Sequence, residues 1–199
     1  MTWSVEQLSQ EVSTHLATLG PLENSAFSAS CAERLMPLYE MFCVEQTWDH
    51  EQQLRGILDD VWTALSEPSR VAQLNEAIHR LEKLVPHADD FNSTMITAAQ
   101  GCVICTDIAV RWLLGHQPLP SVSPRYALEG IASAVSARRT GYLSFGSAPD
   151  DNEEKILSLP AVQNELAYQR QDVETLSGAA GTSNVTEELC IRARRNGHK

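Results

Sequence analysis

Few residues in this chain are of types and spacings that could do chemistry. Cys102-Val-Ile-Cys105 has the CxxC spacing of a redox or metal pair. A redox pair works from an exposed helix N-terminus, and a structural zinc site needs a second pair of ligands. This pair lies inside the apolar run Thr94 to Gly115 with no second CxxC in the chain, so both thiols are expected in the core. Glu76-Ala-Ile-His79 is the one Glu-x-x-His. A di-iron carboxylate bundle uses two such motifs and two further inward glutamates, so a single copy reads as a solvated helix face. The sequence has no Gly-x-Ser-x-Gly, no Ser-x-x-Lys and no glycine loop suited to phosphate. No catalytic residue, no metal ligand and no cofactor is expected.

Five acids lie closest to apolar positions: Glu33, Asp59, Asp89, Asp90 and Asp107. Converging, they could hold a metal or a basic ligand. Packing and capping account for each: Glu33 pairs with Arg34 or Arg55, Asp107 pairs with Arg111 at i, i+4, and Asp89 or Asp90 caps the next helix.

The elements that must position these residues are all helical. Val5, Leu8, Val12, Leu16 and Leu19 form a stripe that Gly20-Pro21 ends. From about Ser25 to Gln46, Phe27, Cys31, Leu35, Leu38 and Phe42 make one stripe and Met36, Tyr39 and Cys43 a second, a surface broad enough to be buried on more than one side. Pro37 stands inside that helix and predicts a kink. His50 to Leu65 is amphipathic. Val71, Leu74, Ile78, Leu81 and Val85 predict a further helix ended by Pro86. Thr94 to Gly115 is apolar nearly all round and predicts the central helix of a bundle. Ser123-Pro124 reads as an N-cap and first-turn proline of a helix reaching about Arg139. Residues 141–154 read as loop, Pro160 to about Leu176 as a helix, and Thr186 to Asn196 as a terminal helix whose basic end complements its own dipole. No strand and no internal repeat is visible.

Several segments resemble one family. CAERLMPLYEMFC resembles the Cys-x-Glu-Arg…Pro-x-Tyr…Phe-Cys element of the YjaG family of bacterial proteins, at Cys31, Glu33, Arg34, Pro37, Tyr39, Phe42 and Cys43. ILDDVWTAL resembles its Ile-Leu-Asp…Trp element at Ile57, Leu58, Asp59 and Trp62, and HADDF its acidic turn at Asp89, Asp90 and Phe91. The following helix and LPAVQNEL are also similar, so the resemblance spans residues 27 to 176. It implies a compact all-α protein and, the family having no known function, brings no site residue with it. The helix before Phe27 and the basic tail after Gly178 read as departures, the mark of a specialised relative.

The fold expected is all-α, a single-domain helical bundle of about seven to eight helices, with residues 1–178 as the bundle and 179–199 as a short linker and a C-terminal helix packed on or extending from it. A formal charge of −11 disfavours nucleic acid, whose binding rests on cationic neutralisation of phosphate, and suits a basic protein partner. No apolar run reaches the roughly 20 residues of a bilayer span, and no membrane role is expected. Without a signal peptide and with an odd count of 5 cysteines, the chain is expected to be cytoplasmic. The expected function is a non-catalytic protein-binding protein, in its sharpest form an immunity-type protein that binds and neutralises a cognate antibacterial toxin or effector. A housekeeping or regulatory protein is the alternative, and a metal- or ligand-binding bundle the second alternative. The candidate partner-binding residues are Asp59, Asp89, Asp90, Asp150, Asp151, Glu153 and Glu154. The broad apolar helices can be buried within one chain or at a homodimer seam, and the sequence leaves both open.

Overall fold

The computed structural model describes residues 5–140, 155–178 and 183–197, and the elements are set by where small and apolar residues fall along the chain. Among the described residues the secondary structure is helical throughout: α1 (Val5–Leu16), α2 (Pro21–Gln46), α3 (Glu51–Ser66), a 3-10 segment (Pro68–Glu76), α4 (Ala77–Leu84), α5 (Ile96–Leu113), α6 (Val122–Thr140), α7 (Pro160–Gly178) and α8 (Ser183–Arg195). The chain is thus a single all-α bundle.

Gly20-Pro21 both ends α1 and starts α2, because a proline in the first helical turn gives up a donor that has no partner there anyway. Buried Asn24 fixes this corner, its Nδ2 donating to the carbonyls of Leu16 at 3.0 Å, Leu19 at 3.1 Å and Gly20 at 3.0 Å. α2 runs through Pro37 as one element of 26 residues and ends where Thr47 turns left-handed (φ 54°), its N–H meeting the Cys43 carbonyl.

The centre is a pair, α2 and α5, rather than α5 alone. α2 packs on α3, α5, α6, α7 and α8. The small residues Ser25, Ala29, Ala32, Ala98, Ala99 and Cys102, all buried, bring the two backbones close. Polar groups caught in this contact find partners: Ser25 Oγ donates to the Ala109 carbonyl at 2.9 Å, and the Cys102 thiol faces the Ala32 carbonyl at 3.4 Å. Ser123 lies inside α6 rather than at its cap, and its Oγ donates to Ser28 Oγ at 2.8 Å. A buried hydroxyl needs a partner wherever one can be had, and here that partner is on α2.

α6 crosses α5 at two glycines. A Cβ on Gly101 would stand 3.0 Å from the Tyr126 carbonyl oxygen, and one on Gly130 would stand 3.0 Å from Ala98 Cα. Leu35 of α2 fills the remaining space, 3.2 Å from either position. By length and hydropathy α5 is the one helix among the described residues that could cross a membrane, but 67% of it is buried in the bundle, which accounts for its apolarity.

One expected helix is two elements. Val71, Leu74 and Ala77 recur every three residues, the repeat of a 3-10 turn, and the chain is 3-10 from Pro68 to Glu76 before the α spacing of Ala77, Leu81 and Leu84 takes over. The loop expected over 141–154 lies outside the described residues.

Gly130→Val is expected to destabilise the fold by about 1–3 kcal/mol through overpacking at the α5–α6 crossing. Gly56→Ala, mid-helix in α3 with nothing within 4 Å of the added methyl, is expected to stabilise it by about 0.5–1 kcal/mol. Urea titrations of both variants check the opposite signs.

Candidate functional site

Glu33 and Arg34 are neighbours on α2, so their side chains leave the helix roughly 100° apart and enter different interfaces. Both are buried. Arg34 turns to α7. Its Nε and Nη2 donate to Glu165 Oε2 and Oε1 at 2.8 and 2.9 Å, a bidentate pair, while Nη1 donates to Asp172 Oδ2 at 2.7 Å and Ser30 Oγ at 2.6 Å. Ser30 Oγ donates to the same Asp172 oxygen at 2.6 Å, and Gln169 Nε2 donates to Glu165 Oε1 at 2.9 Å. Glu165, Gln169 and Asp172 stand at i, i+4 and i+7, one face of α7. Burial alone would press the Arg34 guanidinium toward neutrality, and the two carboxylates more than reverse this, leaving its pKa above the ordinary value.

Glu33 turns to α3 and α8. It accepts from Arg55 Nη2 at 2.5 Å and Nη1 at 2.9 Å, from Trp62 Nε1 at 2.8 Å and from Arg194 Nε at 3.2 Å. Of the two partners expected for it, Arg55 is the one it takes, because Arg34 points away. Asp107 pairs with Arg111 at 2.6 Å as the spacing implies.

The basic C-terminal helix does more than complement its own dipole, and that expectation is corrected. Arg192 reaches Asp172 Oδ1 at 2.8 Å, and Arg194 reaches Asp59 at 2.6 Å as well as Glu33. The physical reason is reach: acids on α2, α3 and α7 lie within charge-assisted hydrogen-bond distance of these guanidiniums.

Between α3 and α8 runs an open groove of about 600 Å³, lined by Asp59, Trp62, Glu67, Glu187, Cys190 and Ile191 among others. Ile191 is 52% exposed. Of the acids expected to bind a partner, Asp59 lines this groove, with Arg55 and Arg194 against it. Asp89 and Asp90 lie on the exposed turn between α4 and α5, which Phe91 anchors by edge contacts to Phe42 and Trp48 at 5.2 and 5.0 Å. No hydrogen bond or ion pair links them to Asp59 among the described residues. Neither aspartate caps α5: the hydroxyl that meets the entering chain is Ser93's, accepting from the Met95 N–H at 3.1 Å. Asp150, Asp151, Glu153 and Glu154 lie outside the described residues.

The buried acids Glu165 and Asp172 were not anticipated from sequence. The signal was Gln169 on the apolar stripe of α7, with an acid four residues before it and another three after. Cys102 and Cys105 are core residues. Burial pushes the Cys105 thiol up to about 12 and the Cys43 thiol up to about 11, and raises Cys31 and Cys102 well above the ordinary range. His79 is on the surface beside Glu82, and Glu76 is exposed.

Residues 11–197 match the family described as "Protein of unknown function (DUF416)". The chain is similar to the uncharacterised protein YjaG of Escherichia coli (strain K12), 25% identical with 89% of this chain and 96% of that protein covered, and to that of Salmonella typhimurium at 24% with the same coverage. A crystal structure of a DUF416 family protein from Shewanella baltica OS155 superimposes with a TM-score of 0.73 at 15% identity, covering 93% of this chain and 94% of that one, so the fold is shared. The matched span includes α8 and runs back into α1. The part of the helix before Phe27 from residue 11 onward and the basic tail after Gly178 up to residue 197 therefore lie within the family match and are not departures, contrary to expectation.

Arg34→Met is expected to lose about 3–5 kcal/mol of stability, because Glu165 and Asp172 are left buried without a cation. Arg70→Ala, which removes an exposed pair with Glu67, should cost at most about 0.5 kcal/mol. Chemical denaturation separates the two. The raised thiol pKa values predict an alkaline limit. The folded chain keeps protons that free thiols lose near pH 8.5, so stability is full below that and falls as pH rises through about 11 to 12. Melting temperature against pH shows this loss, and a smaller loss in Cys43→Ala/Cys105→Ala would identify the share of these two thiols, Cys31 and Cys102 keeping theirs.

Proposed function

The chain belongs to the DUF416 family of proteins of unknown function, and from that premise we propose that it is a non-catalytic protein-binding protein that offers an acidic face to a basic partner. The observation that carries this reading is the division of its charges. Glu33, Arg34, Glu165 and Asp172 are turned inward and engaged with one another or with neighbouring guanidiniums, holding helices together. Glu67 and Glu187 instead line an open groove with half-exposed Ile191, a mixture of acid and apolar surface that suits a protein segment. The net charge of −11 would steer a basic partner toward such a face.

The sharpest form of the proposal is an immunity-type protein that neutralises a cognate antibacterial toxin or effector. The end-to-end similarity to proteins of Escherichia coli and Salmonella supports the broader form, a housekeeping or regulatory binder common to the family. A metal- or ligand-binding bundle is the weaker reading, since each inward acid already faces one or more cations.

Capture from the native cell at low and moderate salt is expected to recover one dominant basic partner, with roughly tenfold less recovered by Glu67→Lys/Glu187→Lys. A partnerless chain at both salt concentrations overturns the proposal. Protection of cells co-expressing a toxin encoded next door favours the immunity form, and its absence the housekeeping form.

A further inference from the structure

α8 covers a surface built by α2, α3 and α7. Leu189 and Ala193 are fully buried in that contact. Arg194 reaches Glu33 and Asp59, Arg192 reaches Asp172, and Gly197 lies against the Pro37 ring, where an added Cβ would stand 2.9 Å from Cγ. The surface is acidic at Glu33, Asp59 and Asp172 and apolar at Trp62 and Pro37. What it receives is a short amphipathic helix with arginines two residues apart.

The two carboxylates buried beneath α8 do not depend on it. Without Arg194, Glu33 still accepts from Arg55 on both oxygens and from Trp62 Nε1. Without Arg192, Asp172 still accepts from Arg34 and Ser30. Release of α8 therefore leaves each carboxylate a guanidinium partner, with Arg34 then shared between Glu165 and Asp172, a smaller penalty than stranding a buried charge with no cation at all. The arginines lose unequally, Arg192 being 17% exposed and giving up Asp172 and Thr175. Arg194 is already 49% exposed, and Arg192 keeps Glu188 of its own helix at 3.6 Å. α7 is the opposite case, since its departure would strand Arg34 without either carboxylate.

We infer that α8 is a releasable strap that fills, within its own chain, a docking site for a basic amphipathic helix of the partner protein. The incoming helix sets its own cations on Asp172, Glu33 and Asp59 in place of Arg192 and Arg194. The charge complementarity already used by α8 defines the occupant. That the occupant comes from a partner rests on the protein-binding proposal above; the release of α8 does not, and it can be tested without any partner.

Two measurements on the full-length chain test the inference. In native-state hydrogen exchange, α8 amides should exchange about tenfold or more faster than those of α2 and α5, and faster still when salt rises from about 0.05 M to about 0.5 M. A fluorescent peptide of residues 183–197 should bind Arg192→Ala/Arg194→Ala about tenfold or more tighter than it binds the unmodified chain, and a peptide carrying both alanines should not bind. Exchange of α8 at the common rate of α2 and α5 overturns the inference, as does failure of the peptide to bind a folded double variant. If that variant does not fold, exchange in the unmodified chain decides alone. A second copy that supplies its own α8 would appear as a salt-sensitive dimer in sedimentation and would replace the partner as the occupant. A failed search for a partner alongside rapid α8 exchange and peptide capture would count against the proposed function and leave the strap standing.

Discussion

A guanidinium taken out of water must be paired, and the buried Arg34 imposes that condition on the whole bundle. It needs two carboxylates and takes them from one face of α7, so α7 is held to α2 in a single register. Because Glu33 is the next residue along, the turn of the helix sends it into the neighbouring interface, where Arg55, Trp62 and Arg194 meet it. One dipeptide thus orients three helices about α2. The polar contacts act as specific keys in a core whose apolar residues alone would tolerate other arrangements.

Those keys work only because the remaining contacts allow close approach. Serine, alanine, glycine and cysteine line the meeting faces of α2, α5 and α6, and Leu35 fills the space the glycines leave. Ser25, Cys102 and Cys105 in that contact bond to main-chain carbonyls, while Ser133 Oγ on α6 is buried without a hydrogen-bond partner. The same burial holds the thiols protonated and makes the CxxC pair packing material rather than a redox centre.

With the interior engaged in holding the helices together, the open groove between α3 and α8 is the face proposed for a partner. α8 stands out there as the element whose ionic contacts are all additional to ones that survive without it. The inner network holds the helices together, and the outer acids and Ile191 form the face proposed for a partner.

The sequence by itself determined the helices and their buried faces. Apolar positions at three- and four-residue spacing and the stops at Gly20-Pro21 and Pro86 follow from local geometry, and local geometry is written in order along the chain. It also determined that Cys102 and Cys105 are buried and that Asp107 meets Arg111, since those follow from one helix alone. What it did not determine is who meets whom. Periodicity says which face of a helix points inward but not which helix lies opposite. Arg34 and Glu165 are 131 residues apart and Arg194 and Glu33 are 161 apart, distances over which no local rule reaches. Glu165 and Asp172 could therefore pass as solvated acids, the terminal arginines as dipole complements, and Asp89 or Asp90 as caps. Only packing, which brings distant charges into a space without water and obliges them to pair, decided otherwise.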